Sequence, residues 1–217
     1  MKIRKLRAMA GRAGGILAVS LLTSTLAIAQ SSREPRRDVL VLTSTNDPAG
    51  NQVLVFQLQS GDAPELALVQ TLATGGKGGA SGDAGILQFK KDWGAVANYG
   101  TNSVTQLIRD DDAIFASKTI GFAPGCTSPD SVALTRRNLF VVGANCAESY
   151  AWPSGAPAGS VVHLSDPSAA QIVIGKTWGA VTLKSGSLAQ LGLRDGALSR
   201  ALRGEAVFGS WCRPAAR

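Results

Sequence analysis

Lys91-Asp92-Trp93-Gly94-Ala95-Val96 returns 85 positions later as Lys176-Thr177-Trp178-Gly179-Ala180-Val181. The match runs on from Ser103-Val104-Thr105-Gln106-Leu107 to Ser187-Leu188-Ala189-Gln190-Leu191. Self-similarity at a fixed period is the mark of a repeat architecture, and the interval is twice the roughly 40–45 residues of a four-stranded propeller blade. A related unit is therefore expected between the copies, and Asn138-Leu139-Phe140-Val141-Val142-Gly143-Ala144-Asn145 supplies it. A fourth precedes them at Asp38-Val39-Leu40-Val41-Leu42-Thr43-Ser44-Thr45-Asn46.

The short runs inside each unit are rich in β-branched and apolar residues and are separated by turn residues, so they read as strands. The second unit is the most complete, with runs at 84–89, 93–98, 103–108 and 113–120. The third reads as 131–135, 139–143, 160–164 and 171–174; the first offers three runs, 39–43, 52–57 and 66–72. The last offers one convincing pair, 178–183 and 186–191. The expected fold is all-β: a β-propeller of about four partial blades, each an antiparallel four-stranded sheet, with the ring incomplete.

The two ends are read separately. Five basic residues and no acid in the first 12, an apolar small-residue stretch to Ala27 and the sequence Ala27-Ile28-Ala29 predict a signal peptide over 1–29. Export to the periplasm or beyond follows, with a linker over 30–37, the propeller segment over 38–199 and an Arg-rich tail over 200–217. That tail lacks a blade pattern and carries Cys212, and a break in the reading frame near Ser199 is the expectation for it. Without the first 29 residues the chain has 17 basic and 15 acidic residues, and from Gln30 to Leu193 the count is 12 against 13. A nucleic-acid surface needs a basic stripe that this near-neutral body does not supply. No membrane partner is expected after cleavage.

In an up-and-down blade the loop entering the first strand and the loop between the second and third lie at one end. That end gathers 45–51, 74–83, 98–102, 121–130 and 144–159, the long and Gly-rich connections. Long loops on a rigid scaffold are where binding concentrates. Gly75-Gly76-Lys77-Gly78-Gly79 is not a P-loop, because the Lys precedes the last glycines and a strand follows; it reads as a flexible rim loop in which Lys77 meets an anion. His163, the only histidine, falls away from this face, and neither a G-x-S-x-G elbow nor a zinc spacing is present, so no metal or cofactor is expected. Asp110-Asp111-Asp112 aligns with Asp195-Gly196 and Gly61-Asp62 as a solvated hairpin turn. Asn46, Asn98 and Asn145 recur after the second strand, which argues for turn structure. Trp93 and Trp178 read as inter-blade packing. In an oxidising compartment Cys126 and Cys146, one on each side of the same strand pair, are expected to bond, leaving Cys212 over. Asp83, Asp130, Lys77 and Glu148 are the ionisable candidates on the face.

The turn at Gly94-Ala95-Val96-Ala97-Asn98-Tyr99-Gly100-Thr101-Asn102-Ser103-Val104 resembles the YVTN-type propeller repeat. Over roughly 38–199 the chain is similar to the lactonase-like seven-bladed family related to bacterial 6-phosphogluconolactonase. That resemblance implies opening or closing of a lactone ring, with Asp83 or Asp130 as general base through water and Lys77 or Glu148 on the ligand. The His-rich loop of cytoplasmic members is missing, and the Gly-rich loop stands in its place. The alternatives are a non-catalytic propeller binding a small molecule or protein, and a truncated remnant. An open ring also leaves blade edges through which the chain would self-associate.

Overall fold

In the computed structural model, the described residues are 39–59, 64–79, 85–200 and 206–207. The expected signal peptide and linker, and nearly all of the tail, lie outside them. Four antiparallel sheets follow one another along the chain. Blade 1 has β1 (Leu40–Ser44), β2 (Gln52–Gln59) and β3 (Glu65–Ala73). Blade 2 has β4 (Leu87–Lys90), β5 (Trp93–Asn98), β6 (Ser103–Asp110) and β7 (Ala113–Gly121). Blade 3 has β8 (Pro129–Leu134), β9 (Asn138–Gly143), β10 (Cys146–Ala151) and β11 (Val162–His163). Blade 4 has β12 (Ala169–Ile174), β13 (Trp178–Leu183), β14 (Ser187–Arg194) and β15 (Ala197–Arg200), with β16 (Ala206–Val207) on β14 beside Ser187 and Leu188.

Two strand assignments are corrected. The third strand of blade 3 is Cys146–Ala151, where the sequence reads as loop, and its outer strand is only Val162–His163. Ala169–Ile174 does not close blade 3 but opens blade 4, which so gains a full four strands. The physical reason is that Cys-Ala-Glu-Ser-Tyr-Ala has no β-branched residue, the usual strand signal. It is also buried on both faces from Cys146 to Tyr150, so no alternation marks it. Cys146 pairs with Gly143 across a two-residue turn. The supposed loop 144–159 is therefore a tight turn at one end, a strand, and a connection at the other end.

The core is three layers, one per junction. Val53 and Val55 of blade 1 meet Val96, Leu107 and Ile114 of blade 2. Trp93, Ala95, Ala97 and Val104 meet Val132, Leu139, Val141 and Tyr150 of blade 3. Phe140, Val142 and Ala147 meet Ile172, Val181, Ala189 and Leu191 of blade 4. On β5 the alternation sends Val96 to the preceding blade and Ala95 and Ala97 to the following one, which is why the strand reads as a continuous apolar run. The Trp-Gly pair of the repeat has a steric cause. A Cβ on Gly94 would lie 2.5 Å from the Phe89 ring, so that ring crosses the strand only over glycine, whereas one on Gly179 would make a milder contact of 3.1 Å with the end of the Ile174 side chain.

Candidate functional site

Three of the loops at the long-loop end are fastened to one another by buried polar side chains. Asn51 donates through Nδ2 to Ala97 O (3.1 Å) and to Asn98 Oδ1 (3.0 Å), and its Oδ1 accepts from Asn46 N (3.0 Å) and Ser44 Oγ (2.7 Å). Asn98 Nδ2 donates to Thr105 Oγ1 at 2.9 Å, and Thr105 Oγ1 in turn donates to Thr74 O at 2.7 Å. Thr74 Oγ1 lies 2.7 Å from Asn98 Oδ1. Asn98 is fully buried, so its role is the hub of this network, and the left-handed turn positions expected of asparagine belong to Asn46 and Asn102. Buried amides held this completely make the junction of blades 1 and 2 rigid.

The glycine-rich loop is packed into this junction, at least over 75–79. Gly79 N donates to Asn46 Oδ1 (2.7 Å), Gly78 N to Asp47 O (2.7 Å), Lys77 N to Thr101 Oγ1 (3.2 Å), and Lys77 O accepts from Gly100 N (2.9 Å). A Cβ at Gly76 would strike the Asn98 side chain, one at Gly78 the Asn46 backbone, and one at Gly79 the Tyr99 ring. These glycines permit close approach between strands of loop, and the flexible rim reading is corrected for them. The Lys77 side chain is exposed.

The ionisable candidates are held at separate junctions. Asp130, 1% exposed, sits at a bulge of β8, and its Oδ2 lies 3.5 Å from Lys184 Nζ of blade 4. Glu148, 5% exposed on β10, points to the connection between blades 2 and 3. It accepts from Ala123 N at 3.1 Å and from the Tyr150 hydroxyl. Burial first, then the hydrogen bond and charge of Glu148, hold the Tyr150 phenol well above the ordinary tyrosine range. Lys77 belongs to the junction of blades 1 and 2, and Asp83 lies outside the described residues.

Cys126 and Cys146 are joined in a disulfide with Cα atoms 5.7 Å apart. They also lie close to Glu148, but bonded sulfurs leave no thiolates to ligate a metal with it. Asn145 secures the same loop, donating to Gly125 O at 2.7 Å and accepting from Thr127 N at 3.2 Å. His163 stands opposite Cys146 on the outer strand, at the long-loop end after all, exposed and at the blade edge. With Cys146–Ala151 a strand rather than a loop, its partner β11 ends beside the tight turn at 144–145. Asp111 and Asp195 both have left-handed backbone, as hairpin turns require.

Sequence reasoning missed Asn51, Thr74 and Thr105, whose partners lie 23 to 47 residues away. It also missed Asp166, whose carboxyl the Ser168 hydroxyl and then the Ser185 hydroxyl hold below the usual range.

No family model and no curated protein matches the chain. Solved structures do. A candidate 6-phosphogluconolactonase from Bacteroides fragilis is 15% identical with a TM-score of 0.62, over 79% of this chain and 55% of its own. Another from Bacteroides uniformis is 14% identical with a TM-score of 0.58, over 78% and 54%. A protein of unknown function from Desulfotomaculum acetoxidans is 17% identical at 0.51, over 81% and 59%. At these identities the likeness establishes a propeller-like fold, and the chain spans little more than half the length of the structures it matches.

Proposed function

We propose that this chain is an exported propeller segment that serves as a rigid binding scaffold for a small molecule or protein at its long-loop end. The observation that carries this reading is the polar network of Asn51, Thr74, Asn98 and Thr105. It presets the loops of blades 1 and 2, and preset loops lose little entropy on binding. The two described carboxylates expected on this face, Asp130 as general base and Glu148 as a ligand contact, are engaged in blade contacts, Asp130 with Lys184 and Glu148 with Tyr150 and Ala123. Export is supported by the Cys126–Cys146 bond, which persists in oxidising compartments.

The second reading is lactone hydrolysis, favoured by the fold shared with the two candidate 6-phosphogluconolactonases. In it Asp83 or Asp130 takes a proton from water, and the hydroxide adds to the lactone carbonyl. The ring C–O bond then breaks, and the leaving alkoxide takes up the proton. Titration of acid release from δ-gluconolactone at constant pH separates the two. The scaffold reading expects no rate above the spontaneous one. A catalysed rate abolished by Asp83→Asn or Asp130→Asn would replace it with the second.

A further inference from the structure

The short-turn end, opposite the long loops, carries a groove that neither reading uses. One part, of about 900 Å³, is lined by Lys90, Thr135, Arg136, Arg137, Asn138 and the Asp195–Gly196 turn. A second part, of about 300 Å³, shares Lys90 and Arg136 and adds Lys91, Trp93, Ile108 and Trp152. Its apolar wall is the stacked pair Trp93–Trp152, with ring centroids 4.2 Å apart. Four cations from blades 2 and 3 thus border two adjoining pockets that share Lys90 and Arg136. Among the described residues, none of Lys90, Lys91, Arg136 and Arg137 has a carboxylate partner. Two acids, Asp92 and Asp195, also stand on the lining, and Asp195 lies 3.7 Å from Arg194.

This concentration stands out against the body of the chain, where 12 basic residues face 13 acidic ones. It also repeats. Lys91, Arg136 and Lys176 each lie two residues before the second strand of their blade, so three successive inner turns present a cation at the same position. Like charges gathered on one rim repel one another, and a bound anion relieves that repulsion.

We infer that this groove binds a small organic polyanion, phosphorylated or polycarboxylated, with its anionic groups on Arg136, Arg137, Lys90 and Lys91 and a flat apolar part against Trp152. Guanidinium forks match the geometry of phosphate and carboxylate oxygens. The groove volume is that of a small-molecule site, which commits the ligand to a free molecule.

Titration calorimetry of the full chain with benzenehexacarboxylate and with inorganic pyrophosphate tests this. Expected are saturable 1:1 binding, tighter for the ring-bearing anion, and a loss of at least about tenfold in Arg136→Gln/Arg137→Gln. Both arginines are exposed, so the variant retains its fold, which circular dichroism checks. Lys118→Gln/Arg200→Gln removes the same charge elsewhere and is expected to bind within about twofold of the parent chain. No saturable binding by the parent chain, or equal weakening in both double variants, would overturn the site.

Discussion

Blade 2 and blade 4 carry the same repeat, and the structure treats its two faces differently. Toward the preceding blade both copies are buried: Val96 packs on blade 1 and Val181 on blade 3. Toward the following blade they part. Trp93 is 7% exposed beneath Trp152, whereas Trp178 is 44% exposed, with Val173, Thr182 and Gln190 open beside it. The repeat dictates strand and turn in both places, but the next blade decides what a side chain contributes. Where elements touch only their neighbours, stability resides in the junctions.

Several substitutions would break or sharpen that contrast. The largest effect short of the tryptophans is expected at the disulfide, which ties the connection between blades 2 and 3 to β10 and has no counterpart in blade 4. Replacing Cys126 and Cys146 by Ser opens a loop whose ends are 20 positions apart and should lower unfolding free energy by about 3 kcal/mol. Urea denaturation reads this directly. Next is Asn98→Leu, which writes the residue of blade 4, Leu183, into blade 2. It strands the amide of Asn51 and the hydroxyls around it, and a loss of about 2 kcal/mol is expected in the same assay.

Alkaline pH probes the junction of blades 2 and 3 through Tyr150. Its folded-state pKa is raised, so the stabilising contribution is complete below the unfolded value near 10 and falls as pH rises above it. Unfolded chains lose the phenolic proton there while folded ones keep it. Stability should drop by about 1.4 kcal/mol per pH unit above that point in the parent chain, and Tyr150→Phe should remove this share of the slope. The smallest effect has the opposite sign. Gln106 is fully buried, and neither amide atom has a partner among the described residues, whereas its repeat mate Gln190 is exposed. Gln106→Met is expected to stabilise by about 1 kcal/mol and Gln190→Met to leave stability unchanged, as thermal melts will show.

The architecture was legible because strand signals repeat. Short apolar runs with polar turns marked blade 2 strand by strand, and the spacing of two cysteines around a strand pair pointed to their bond. Blade 3 was misread at Cys146–Ala151, where burial on both faces removes the alternation that a half-exposed strand shows. The candidate site was less legible. Asn51 and Asn98 look like ordinary turn residues until the fold brings together loops 47 positions apart. Nothing local distinguishes a glycine that frees a loop from Gly78, which lets one pass against the Asn46 backbone.

The contrast between the two copies is tested most directly by comparing Trp93→Ala with Trp178→Ala in urea denaturation at low protein concentration. Expected is a loss of about 3–5 kcal/mol for Trp93→Ala and under about 1 kcal/mol for Trp178→Ala. Equal losses would contradict it, because they would mean that the open face of blade 4 is covered in solution, as self-association through the blade edges would require.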